Sequence, residues 1–139
     1  MSLPVLGCHD IVASLPGSEM NFTFEEAKDI IIRAYERFDK DYAAAAREMF
    51  EKKRIDATPR FGKRNGAFCS RWYSGKSSFV LQSFTGSLKD VFTLAHELGH
   101  ATHNYYVTRN QTITNNHLAK TVAETASTFG ELLIADLML

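Results

Sequence analysis

From Ser87 to Val107 the chain reads Ser87-Leu88-Lys89-Asp90-Val91-Phe92-Thr93-Leu94-Ala95-His96-Glu97-Leu98-Gly99-His100-Ala101-Thr102-His103-Asn104-Tyr105-Tyr106-Val107. Ser87 with Asp90 three residues on is a helix start signal. Val91, Leu94, Leu98 and Ala101 then recur at three and four, the spacing of a helical core face. This predicts a helix from Ser87 to about Val107, with its histidines on a face separate from the apolar one. Residues one turn apart point the same way, so His96 and His100 can both reach a single ion.

The five residues His96 to His100 form an H-E-x-x-H pattern, whose two imidazoles suit zinc at about 2.0–2.1 Å. Glu97 is rotated by about 100° from His96. That offset disfavours it as a third ligand and lets its carboxylate reach a water in an open coordination position, the place of a general base. A third protein ligand is needed. Glu124, 24 residues after His100, stands in the otherwise neutral run Val122-Ala123-Glu124-Thr125-Ala126, and the interval allows a helix end, a turn and an antiparallel return. If it is buried there, it needs a cation as partner. Glu131 falls two turns further on nearly the same face, where it could accept a hydrogen bond from a ligand histidine and fix its tautomer; an ordinary surface glutamate is the alternative. Gly99 and Gly130 sit inside helical patterns at a cost of about 1 kcal/mol each relative to Ala, which points to close approach by another backbone or a substrate.

Outward from this stretch, the chain reads as one segment of mainly α character with a small antiparallel β-hairpin or sheet before the metal-binding helix. Residues 1 to 21, with Pro4, Gly7, Pro16 and Gly17, form an irregular lead-in. Residues 22 to 55 are scaffold helices. Thr23 and Glu26 make a capping box, Phe24, Ala27, Ile31, Ala34, Tyr35 and Phe38 follow at helical spacing, and Tyr42, Ala45, Ala46, Met49 and Phe50 continue with or without a break near Asp39 to Asp41. Residues 60 to 86 hold a loop and a hairpin, with strands at Ala67 to Tyr73 and Ser78 to Phe84 around Ser74-Gly75-Lys76. Residues 87 to 139 carry the zinc-binding helices, the second from about His117 onward.

Composition narrows the rest. The 139 residues are 45% hydrophobic and 23% charged, as in an ordinary globular domain, and sixteen basic residues balance sixteen acidic ones. No basic field is present to recruit nucleic acid or an anionic membrane. The longest apolar stretch, Leu132 to Leu139, is too short for a bilayer and contains Asp136. Cys8 and Cys69 lie in neither a CxxC nor a metal-knuckle spacing, so a reducing, cytoplasmic setting is expected. Residues 71 to 139 hold only ten of the 32 charges, and the apolar helical pattern runs to Met138-Leu139 without Gly, Asn or Pro to close it. The expectation is a piece of a larger chain, or a homo-oligomer face covering the charge-poor helices.

The remaining polar residues have plainer readings. His9, His103 and His117 read as surface or hydrogen-bonded histidines. Positions 103 and 106 hold His103 and Tyr106, which excludes the longer metzincin pattern. The basic run Lys52, Lys53, Arg54, Arg60, Lys63 and Arg64 is a solvated face, unless Arg60, Lys63 or Arg64 holds a peptide carboxylate.

The stretch from Phe84 to His103, with Glu124-Thr125-Ala126-Ser127 after it and Gly62-Lys63-Arg64-Asn65-Gly66-Ala67-Phe68 before it, resembles the oligoendopeptidase F branch of the thimet oligopeptidase family from about residue 22 onward. The resemblance implies a zincin-like helical core with a small sheet whose edge strand, placed at Phe79 to Phe84, lines a peptide channel. It implies one zinc on His96, His100 and Glu124, Glu97 as the base, and an oligopeptide substrate cut at internal bonds. Family members are several times longer, and their tyrosine and histidine donors to the oxyanion lie beyond Leu139. Tyr105, Tyr106 and His117 match such donors by residue type alone. The alternative is a zinc-stabilised structural or interaction module, catalytically incomplete for want of those groups.

Overall fold

The computed structural model describes residues 20–64, 66–117 and 119–139. The lead-in, with Cys8 and His9, lies almost wholly outside the described residues. Two short helices open the fold, α1 (Phe24–Phe38) and α2 (Lys40–Glu51). The Thr23 and Glu26 capping box forms as expected, with the Thr23 N–H donating to the Glu26 carboxylate at 2.8 Å. Asp39 resolves the break between the two periodic runs. Its backbone closes α1 on Tyr35, while its carboxylate accepts the Tyr42 N–H at 2.7 Å and opens α2.

A three-stranded sheet follows: β1 (Ile55–Asp56), β2 (Ala67–Trp72) and β3 (Ser77–Gln82), in the order β1-β3-β2. β2 and β3 form the expected antiparallel hairpin, with Cys69 opposite Val80. The placement of the edge strand at Phe79 to Phe84 is corrected. β3 ends at Gln82 and is the middle strand, because β1 pairs parallel to its other side through Ile55 and Asp56. A strand of two residues carries no period, so the sequence gives no sign of it. Among the described residues the long free edge belongs to β2.

The helix containing His96, α3 (Leu88–Asn110), lies across the inner face of the sheet, and α4 (Lys120–Met138) returns antiparallel beside it. Two side-chain hydrogen bonds tie β3 to α3 from opposite ends. Gln82 Nε2 donates to the Asp90 carbonyl at 2.9 Å, and Asn104 Nδ2 donates to Ser78 Oγ at 3.0 Å. One core cluster, with Ile31, Tyr35, Met49, Val80, Leu94, Leu98 and Ile134 among its members, joins all four helices and the sheet. No helix among the described residues is long and apolar enough to cross a membrane.

The basic run after α2 is organised internally. The Lys63 side chain is 1% exposed. Its ammonium donates to the carbonyls of Asp56, Thr58 and Gln82 at 2.7–3.0 Å and to the Asp56 carboxylate at 3.0 Å. Arg60 grips the same carboxylate with both terminal nitrogens at 2.7 Å. These bonds from Arg60 and Lys63 hold the Asp56 carboxyl well below the usual carboxylate range. Arg64 lies over the Phe68 ring. Arg60 and Lys63 therefore act as clasps between the loop and the sheet, and the buried Lys63 side chain corrects its reading as part of a solvated face.

Replacing Lys63 by Met leaves those three carbonyls without their donor. Lys63→Met should lower unfolding stability by about 1–3 kcal/mol in urea titrations. A stability equal to the parent would show that the clasp is dispensable.

Candidate metal centre

Local rules place the first donors. The Ser87 hydroxyl and Asp90 carboxylate form a second reciprocal cap, which fixes where α3 begins and so the turn on which each histidine falls. The His96 and His100 rings lie 4.9 Å apart, nearly perpendicular. Glu97 is 6% exposed. It lines a recess of about 400 Å³ with Ala67, Phe92, Thr93, His96 and Glu131.

The partner donors come from α4. Glu124 Oε2 lies 3.3 Å from His96 Nε2 and 3.5 Å from His100 Nε2. One donor atom from each of His96, His100 and Glu124 falls within 4.8 Å of the other two. Glu131 Oε1 sits 2.6 Å from His96 Nδ1. A proton on Nδ1 bonded to that carboxylate leaves the Nε2 lone pair facing Glu124. The Ser127 hydroxyl, fully buried, is 2.9 Å from both Glu124 Oε2 and the Glu124 carbonyl, its alternative acceptors.

Glycine makes this convergence possible. A Cβ on Gly99 would meet the Ala126 carbonyl oxygen at 2.5 Å and Ser127 Cα at 2.8 Å. A Cβ on Gly130 would meet the Ala95 carbonyl oxygen at 2.7 Å. At Gly99 the obstacles are backbone atoms, and at Gly130 the Tyr35 hydroxyl stands in the way beside the Ala95 carbonyl, so a side chain at either position pushes α3 and α4 apart or displaces Tyr35. The helical cost of the two glycines is thus offset by a crossing close enough for four side chains to meet.

Burial favours the neutral forms of the inner groups. It pushes the Glu97 carboxyl up, with neighbouring Glu124 adding to the rise and His96 opposing it. It pushes His100 down, against the pull of Glu124. A neutral imidazole is the form that binds a metal. The donor set of two imidazole nitrogens and one carboxylate oxygen, with one imidazole oriented from behind, fits zinc. Glu124 is itself 58% exposed at its side chain. The condition under which a buried Glu124 would need a cation is therefore not met, and the case for it rests on convergence.

Other sequence candidates fall elsewhere. His103 is half-buried one turn past His100 and is pushed down by burial and then by Arg71. Tyr105 carries the Arg109 guanidinium 3.3 Å above its ring. Tyr106 lines an apolar groove with Tyr42, Val122 and Phe129, and His117 is exposed before α4 begins. None of the four belongs to the group of three donors. Sequence reasoning missed Ser127. Its place three residues after a ligand candidate was the available signal.

An α-helix bearing two histidines one turn apart, crossed at glycines by an antiparallel helix that supplies a carboxylate, defines a helical peptidase core with a possible metal-binding group. Residues 13–138 match the model of peptidase family M3, and the chain belongs to that family. It is 35% identical to Oligopeptidase PepF of Bacillus subtilis over 120 residues, which are 86% of this chain and 18% of that protein. It is 34% identical to an Oligoendopeptidase F homolog of Borreliella burgdorferi, covering 84% of this chain and 20% of the relative. A crystal structure of a peptidase from Chlamydophila abortus superposes with a TM-score of 0.81 at 32% identity, over 87% of this chain and 20% of that one. The chain thus spans about a fifth of the length of the relatives it matches.

Gly99→Ala tests the crossing. Forcing the Ala126 and Ser127 backbone away should lower stability by about 1–3 kcal/mol. It should also weaken zinc binding measured against a chelator. Unchanged values for both would show that the helices have room to spare.

Proposed function

We propose that this chain carries the zinc-holding core of a metalloendopeptidase that cuts internal bonds of short peptides. The convergence of His96, His100 and Glu124 donor atoms carries the reading, and membership of peptidase family M3 and the oligopeptidase names of the relatives support it. His96 Nε2, His100 and Glu124 would hold the ion, with Glu131 orienting His96 from Nδ1. When bound, zinc lowers the pKa of a coordinated water towards 7 and polarises the scissile carbonyl.

The chain's own residues do the rest. Glu97, in the recess beside the donors, accepts the attacking water's proton and delivers it to the departing amine. Its burial, which raises its proton affinity, suits a group that must take and then release a proton. Ala67 lines that recess and is also the first residue of β2. An extended peptide pairing with the free edge of β2 would run past Glu97.

A second reading has one observation behind it: Tyr105, Tyr106 and His117 stand apart from the donor group. On that reading the chain binds zinc but needs oxyanion donors from outside these residues, and alone it is a structural module. The exposed Val122, Leu132 and Met138 on α4 fit a face covered by further chain or by a second copy. A cytoplasmic setting remains the reading from cysteine usage.

Glu97→Gln should keep zinc while losing peptide turnover by at least about 100-fold, the usual scale of acid–base catalysis. His100→Ala should lose the metal. Metal analysis beside a quenched-fluorescent peptide assay reads both. Full activity in Glu97→Gln would overturn the assignment of the base, and zinc without turnover in the parent chain would favour the module.

A further inference from the structure

Beneath the donor group lies a contact that no part of the proposed chemistry uses. Tyr35, on α1 and 0% exposed, reaches between the two metal-site helices, and its hydroxyl donates to the Ala95 carbonyl at 2.9 Å. The space it occupies exists because residue 130 is glycine: a Cβ there would collide with the Tyr35 hydroxyl and stand 2.7 Å from the Ala95 oxygen.

The neighbours of these two backbone positions are the functional ones. Ala95 precedes His96 on α3, and Gly130 precedes Glu131 on α4. On the outer side of the crossing, His96 Nδ1 meets Glu131 Oε1 at 2.6 Å. On the inner side, Tyr35 bonds to Ala95 in the notch at Gly130. The same level of the helix pair therefore carries a tether on one side and the orienting bond of a ligand histidine on the other.

We infer that Tyr35 is a positioning residue of the metal centre, its hydroxyl fixing α3 against α4 so that Glu131 meets His96 and Glu124 meets both histidines. The inference rests on the proposal that these residues hold zinc. It gives α1 a role beyond supplying apolar surface. Tyr35→Phe removes only the hydroxyl and keeps the ring in the core. The helix still provides the Ala95 carbonyl with its own N–H donor, so the variant should fold.

The test compares zinc affinity and the visible spectrum of the cobalt(II)-substituted protein in the parent, in Tyr35→Phe and in Ile31→Val. Ile31→Val is a buried change on the same helix that leaves the Tyr35 hydroxyl in place and controls for lost core stability. Tyr35→Phe should weaken zinc about 10-fold, the lower end for loss of an outer partner of a metal ligand. It should also shift the cobalt bands, while Ile31→Val alters melting temperature alone. Parent-like affinity and spectrum in Tyr35→Phe would overturn the inference while leaving the metal reading intact. Equal weakening in Ile31→Val would overturn it too, since general stability would then explain the loss. A parent chain that binds neither zinc nor cobalt would sink the metal reading first, and the inference with it.

Discussion

The functional arrangement depends on how closely α3 and α4 approach where Gly99 and Gly130 face the opposing backbone. With ordinary side chains there, the helices would sit further apart, and Glu124 and Glu131 could not stand within hydrogen-bonding distance of His96 and His100. The histidine pair alone follows from helix geometry. The third donor and the orienting carboxylate are products of packing. The rest of the fold supports this crossing: β3 ties α3 at Asp90 and Asn104, the core beneath fixes both helices, and Tyr35 enters the seam from α1.

The crossing also sets the electrostatics. Burial, the largest influence on both, drives Glu97 towards its protonated form and His100 towards its neutral form, so the protein groups by themselves disfavour charge at these two positions. A divalent cation among these side chains would reverse that balance for Glu97 by favouring its carboxylate, while neutral imidazoles are already in the state that coordinates. Glu124 faces solvent.

Much of this was legible in the sequence because the signals were local. The Thr23 and Glu26 cap, the Ser87 and Asp90 cap, the hairpin and the spacing of His96 and His100 are each fixed within a few residues. Glu124 and Glu131 were legible for another reason: charges in a neutral helix stand out, and seven residues put them on one face. What the sequence hid is non-local. β1 is too short to have a period, so β3 could not be recognised as the middle strand. The role of Lys63 depends on three carbonyls brought together by folding, and in one dimension it looked like part of a solvated run. Tyr35 read as an ordinary core aromatic, since nothing in α1 says that its hydroxyl ends at a carbonyl sixty residues away.

X-ray absorption at the zinc edge of the zinc-loaded protein tests the central claim most directly. The account predicts a first shell of nitrogen and oxygen at about 2.0–2.1 Å with the outer scattering of two imidazoles, reduced to one imidazole in His100→Ala. A shell with sulfur, or one without imidazole scattering, would contradict it.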